Sequence, residues 1–121
     1  MNLLVKKKAI NLIGIATKSR NIVSGEFSTE KAVKENKAAL VIVAEDASDN
    51  TKKMFTNMCA FYKVPIYFFG DKNELGHAMG KEFRASLALL DKGLADAVEE
   101  QLKIVALDII GGSKYGENES I

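Results

Sequence analysis

The sequence predicts an α/β protein whose central sheet is covered by helices on both faces. Two observations carry that expectation. Ala38-Ala39-Leu40-Val41-Ile42-Val43-Ala44 is a continuous apolar run with β-branched residues, the pattern of a strand buried on both sides, and Ala85-Ser86-Leu87-Ala88-Leu89-Leu90 is a second such run. Stretches of helical periodicity lie around them, and helices that alternate with buried strands fold as α/β layers.

From Asn2 to about Ser19, Leu4, Ile10, Ile13 and Ala16 fall close to one helical face, with Lys6, Lys7, Lys8 and Lys18 mostly elsewhere. Arg20 to Gly25 reads as a short extended segment ending in a glycine turn, and Ser28 or Thr29 can cap a second helix running to about Asn36. The first apolar run ends at Glu45-Asp46, after which Ser48 is a cap and Asp49 a favourable first-turn charge for a third helix reaching Tyr62. Phe55, Met58, Cys59 and Tyr62 share one side of it. Pro65 opens a strand through Ile66-Tyr67-Phe68-Phe69, Gly70 to Asn73 is a turn, and Glu74 to Met79 makes about two helical turns before Gly80 stops them. The second apolar run is followed by a last helix from Lys92 to about Leu102, with Leu94, Val98 and Leu102 inward. Residues 1–103 are read as one domain. Residues 104–121, with Gly111-Gly112-Ser113 as a breaker, are expected to be a loosely ordered extension.

The chain has 121 residues, 47% hydrophobic and 27% charged, the composition of a globular protein with one core. A single cysteine, Cys59, excludes an internal disulfide framework, and one cysteine with one histidine excludes zinc or iron sites built from clusters of those residues. No apolar stretch approaches a membrane span. The opening Met1 to Val5 is cut short by Lys6-Lys7-Lys8, the reverse of a signal peptide's order, so a cytoplasmic protein is expected. The net charge of +1 conceals sorting along the chain: through Lys63 there are 11 basic and 6 acidic side chains, and after it 6 and 10. A basic flank of that kind attracts a polyanion even when the whole protein is nearly neutral.

Enzyme signatures are missing. There is no glycine-rich phosphate loop ending in Lys-Ser/Thr, no G-x-S-x-G and no paired histidines, so neither catalysis nor a cofactor, a metal or a small-molecule substrate is expected. Glu45, Asp46 and Asp49 form the one tight carboxylate group, and capping a helix is their commoner use than holding Mg²⁺. Cys59 reads as a core residue and His77 as a surface one.

Ser24-Gly25, Lys31-Ala32-Val33, Ala38 through Glu45-Asp46, and Lys72-Asn73-Glu74-Leu75-Gly76-His77-Ala78-Met79-Gly80 together resemble the kink-turn-binding ribosomal protein superfamily, of the L-seven-Ae and L-thirty-e type, over most of residues 3–103. Residues 12–16, Asp46 through Lys53, Cys59 and Gly80-Lys81-Glu82 look closer still to its bacterial YlxQ-like branch. The resemblance implies a three-layer α/β/α sandwich with a central mixed sheet of about four strands. It also implies a noncatalytic protein of the cytoplasm that binds ribosomal or other structured RNA, with the ribosome as a candidate partner, through the start of the second helix and the loop after Gly80. Within that surface Lys18, Arg20, Lys31, Lys34, Lys81 and Arg84 would contact phosphates, Gly25 and Ser28 would allow close backbone approach, Glu82 aligns with a loop residue of the family, and Phe83 would meet an unpaired base.

The departures are specific. Where the family's G-x-N-E-x-x-K carries the Asn and Glu that read sheared G·A pairs, this chain has Phe27 and Ser28, and only Gly25 and Lys31 of that set are kept. Phe27 either stacks on a base or staples the second helix to the core, the staple being the preferred reading. Relaxed kink-turn specificity follows as an expectation. The alternative is a protein-interaction module on the same fold that has lost RNA recognition.

Overall fold

The computed structural model of the protein describes residues 3–111, with side-chain packing through residue 106. Five helices and four strands follow one another as α1 (Leu3–Lys18), β1 (Ile22–Ser24), α2 (Glu26–Lys34), β2 (Leu40–Val43), α3 (Asp49–Tyr62), β3 (Ile66–Phe68), α4 (Lys72–Ala78), β4 (Ser86–Leu89) and α5 (Lys92–Gly111). The strands form one mixed sheet in the order β1-β4-β2-β3. β4 runs antiparallel to both its neighbours, with Leu40 opposite Leu89 and Val23 opposite Ala88, whereas β2 and β3 are parallel with Val41 opposite Ile66. All four residues of β2 and all four of β4 are buried, which requires cover on both faces. α1 packs with α4 and α5, and α2 packs with α3, so the expected α/β sandwich is the fold observed.

The strands were legible as apolar runs, and the helix ends show where local chemistry decides. Ser48 caps α3 as expected, its hydroxyl accepting from the Thr51 N–H at 3.1 Å. α4 starts two residues earlier than the Glu74 expected, because Asp71 and Glu74 form a reciprocal capping box. α2 also starts early: Gly25 occupies its cap position, and Ser28 and Thr29 lie inside the helix instead of capping it. In α1 the buried stripe is Val5, Ala9, Ile13 and Ala16, while Leu4, expected inside, is 62% exposed. α5 continues past Leu102 to Gly111, with Val105 buried, so the helix crosses the boundary expected at residue 103. Residues 112–121, the remainder of the expected extension, lie outside the described residues. No helix among the described residues is long and apolar enough to cross a membrane.

Asp46 Oδ1 accepts from the Lys72 N–H at 2.9 Å, and no group of three or more metal-ligating side chains is assembled among the described residues. Cys59 is buried, and burial pushes its thiol up to about 11, where it is protonated and inert at neutral pH.

The sheet is tied to α5 by Tyr67, whose hydroxyl donates to Glu99 Oε2 at 2.9 Å. Burial first, and the Glu99 carboxylate second, push the Tyr67 hydroxyl up to about 12. Ionising it therefore works against the fold: its contribution is intact below the ordinary tyrosine value of about 10 and is lost as pH rises through about 12. An ultraviolet alkaline titration should contain a late-ionising component that Tyr67→Phe removes, and Glu99→Gln should lower its midpoint only in part. A late component that survives Tyr67→Phe, or none at all, would contradict this contact.

Candidate nucleic-acid interface

Two segments far apart in the chain meet at one end of the sheet. Gly25 lies at φ 90° and ψ 159°, a conformation essentially confined to glycine, and it turns the chain from β1 straight into α2. Its N–H donates to Ser86 O at 2.9 Å, which places the start of α2 beside the entry to β4. One turn further on, the buried hydroxyls of Ser86 and Thr29 lie 3.3 Å apart, so α2 is pinned to β4 a second time. Gly25 offers no side-chain cap to the first turn of α2. That end of a helix favours an anion.

The other segment is the loop after α4. Gly80 is left-handed at φ 70°; the Lys81 N–H returns to Gly76 O at 2.8 Å and the Gly80 N–H to His77 O at 3.0 Å, a Schellman stop that aims residues 81–84 back across the helix. Gly76 is where they cross. A Cβ there would lie 2.5 Å from Phe83 Cα and 2.7 Å from Glu82 O, so only glycine lets the loop sit this close. Arg84 then binds the two segments together. Its Nε donates to Ser24 Oγ at 3.1 Å and its Nη1 to Phe83 O at 2.8 Å, leaving the rest of its five-donor guanidinium for a ligand.

The side chains expected from sequence are distributed unevenly. Gly25, Phe27, Ser28 and Lys31 follow one another from the start of α2, and Lys81, Glu82, Phe83 and Arg84 form the adjoining loop. Phe27 is 78% exposed and Phe83 56%, which overturns the staple reading of Phe27, since its ring does not pack on the core. Lys31 is exposed and makes no ion pair among the described residues, whereas Lys34 is held by Glu30 at 2.7 Å and is raised above its ordinary value chiefly by that bond. Lys18 and Arg20 precede β1, at the end of that strand away from the α2 start, where the Leu90 N–H meets Asn21 O. Arg20 therefore adjoins the end of β1 opposite to Ser24, where Arg84 is bound. Sequence reading missed the role of Ser24 as the partner of Arg84, and Gly76 as the seat of the loop.

A sheet sandwiched between helices, with a glycine-started helix and a glycine-seated loop exposing cations and aromatic rings together, defines a class of small α/β/α proteins with a composite polar surface at one sheet end. Residues 7–99 match the ribosomal protein L7Ae/L30e/S12e/Gadd45 family, and the chain belongs to it. It is 41% identical over 85 residues to RNA-binding protein YlxQ of Bacillus subtilis, covering 70% of this chain and 85% of that protein. It is 34% identical over 98 residues to the protein of the same name from Enterococcus faecium, covering 81% and 94% respectively. Among solved structures, the Giardia lamblia 15.5kD RNA binding protein superposes with a TM-score of 0.72 at 27% identity, over 88% of this chain and 91% of the other.

The contact at Gly76 generates a direct expectation. Gly76→Ala should force residues 82 and 83 off α4, costing roughly 1–3 kcal/mol in urea unfolding and shifting the amide NMR signals of residues 81–84. Wild-type stability with an unmoved loop would show that the loop does not depend on this seat.

Proposed function

We propose that this protein is a noncatalytic RNA-binding protein that holds structured RNA, ribosomal RNA among the candidates, on the surface made by the start of α2 and residues 81–84. The observation that carries the reading is the junction itself. The Gly25-to-Ser86 and Arg84-to-Ser24 bonds join the start of α2 to the loop after α4, two segments that carry exposed aromatic rings and cations with no ion pair among the described residues, and this supports the reading. Each has an RNA counterpart: phosphate for the helix end, Lys31, Lys81 and the free donors of Arg84, an unstacked base for Phe83, and an exocyclic amino group for the Glu82 carboxylate. Membership in a ribosomal protein family and kinship to proteins named for RNA binding support the same conclusion. A cytoplasmic setting suits that role.

Recognition of tandem G·A pairs is relaxed in this reading. Phe27 has no hydrogen-bonding side chain and Ser28 is too short to span a base edge, so the bidentate contacts, each worth roughly 1–3 kcal/mol of discrimination in the DNA case, are lost while phosphate contacts remain.

A kink-turn RNA and the same RNA with its G·A pairs replaced by Watson-Crick pairs should therefore bind within about 100-fold of each other. The logarithm of affinity should fall with the logarithm of salt by about 0.7–0.9 per phosphate contact, and Lys31→Ala should weaken binding and flatten that slope by about one unit. An unchanged slope in Lys31→Ala removes Lys31 from the interface, and failure of the wild type to bind either RNA overturns the function proposed.

A further inference from the structure

The ring of Phe27 separates two hollows. On the side facing edge strand β1 there is a groove of about 300 Å³ whose lining includes Val23, Phe27, Lys31, Glu35, Lys37 and Leu90. Its floor is apolar, its wall is an aromatic ring on a pinned helix, and two ammonium groups stand at its rim. β1 is the outermost strand of the sheet, so the groove adjoins a free edge along which a nucleic-acid strand can continue. The hollow on the opposite side of the ring, of about 270 Å³, is lined by Glu30, Lys31, Lys34 and Glu35 beside Phe27, and Lys34 is already bound to Glu30. Glu35 borders both hollows, but this one adds a second carboxylate, Glu30, and its ion pair is the tighter, 2.7 Å against 3.3 Å for Lys37 with Glu35, so the side facing β1 is the better place for a polyanion.

We propose that the groove between α2 and β1 takes one unpaired nucleobase of the bound RNA, stacked on the Phe27 ring, with the flanking phosphates on Lys31 and Lys37. The inference rests on the RNA-binding reading and adds a position and a chemical preference to it. A base has an apolar face that Val23 and Leu90 can cover and a π-face that an aromatic ring can stack upon, and such stacking tolerates any base. Lys37 is paired with Glu35 at 3.3 Å, but both side chains are exposed, and a solvent-screened pair of this kind exchanges readily for a phosphate. The substitution that removes G·A reading at position 27 thereby supplies a different contact: affinity for a strand with an extruded base in place of hydrogen-bonded reading of a paired one.

The probes are an RNA hairpin with a single bulged adenine and the identical hairpin with an abasic residue at the bulge, titrated at fixed salt. The wild type should favour the adenine bulge by roughly 5- to 100-fold. Phe27→Ala should bring that ratio to about one with little change in salt slope, because the ring carries no charge, and Phe27→Trp should retain it. Val23→Ser, which strips the groove floor, should reduce the ratio, and Glu30→Ala, on the far side of the ring, should leave it unchanged. Equal binding of both probes by a wild type that does bind RNA overturns the groove and spares the RNA-binding reading. A ratio sensitive to Glu30→Ala and indifferent to Val23→Ser also overturns it, by placing the base in the opposite hollow. Failure to bind either hairpin or kink-turn RNA overturns both.

Discussion

At Gly76 the backbone of residues 82 and 83 comes nearer to a helix than any side chain would allow, and the composite surface exists because of that approach. The loop could not otherwise lie flat on α4 and deliver Arg84 to Ser24. α4 is itself held from both ends, by the Asp71–Glu74 capping box and Asp46 at its start and by the left-handed Gly80 at its finish. The Arg84 N–H closes the circuit on Lys72 O at 3.0 Å. A short helix of seven residues, marginal alone, becomes a rigid shelf because both ends and one face are committed.

The same logic of prior commitment governs the opposite half of the surface. Thr29 lies within a helix and is fully buried, a costly position for a hydroxyl without a partner, and Ser86 Oγ on β4 donates to it. Binding an RNA on such a surface orders few protein groups, so less of the contact energy is spent on immobilisation. Electrostatics then select among the cations. Glu30 and Glu35 occupy Lys34 and Lys37, while Lys31 stands between them without a partner among the described residues, which makes it the cation of α2 most available to a phosphate.

Much of the fold was legible because its signals are local and one-dimensional. β2 is apolar at every position, a pattern that only burial on both faces explains, and Ser48 stands where a cap must stand. The errors fell where a three-dimensional partner decides. Ser28 and Thr29 have the chemistry of caps, but the bond from Gly25 to β4 starts α2 before them. Leu4 and Val5 are nearly interchangeable by hydropathy, and tertiary packing buries Val5 and leaves Leu4 exposed. At the site, Gly25 and Lys31 were found through family resemblance and Phe27 through departure from it. Its exposure was not legible, since an aromatic in the first turn of an amphipathic helix packs inward as easily as outward. Lys18 and Arg20 precede β1, at the end of that strand away from the start of α2, a placement that charge does not reveal.

RNA is proposed to meet one composite surface, made by the start of α2, its groove against β1 and residues 81–84, and not the rest of the molecule. Photo-crosslinking the protein to RNA in cells that make it, followed by mass spectrometry of the nucleotide-bearing peptides, reads that surface directly. Adducts should concentrate on residues 25–31 and 81–84. Adducts confined to β3 and α5, or no RNA recovered above background, would contradict the account.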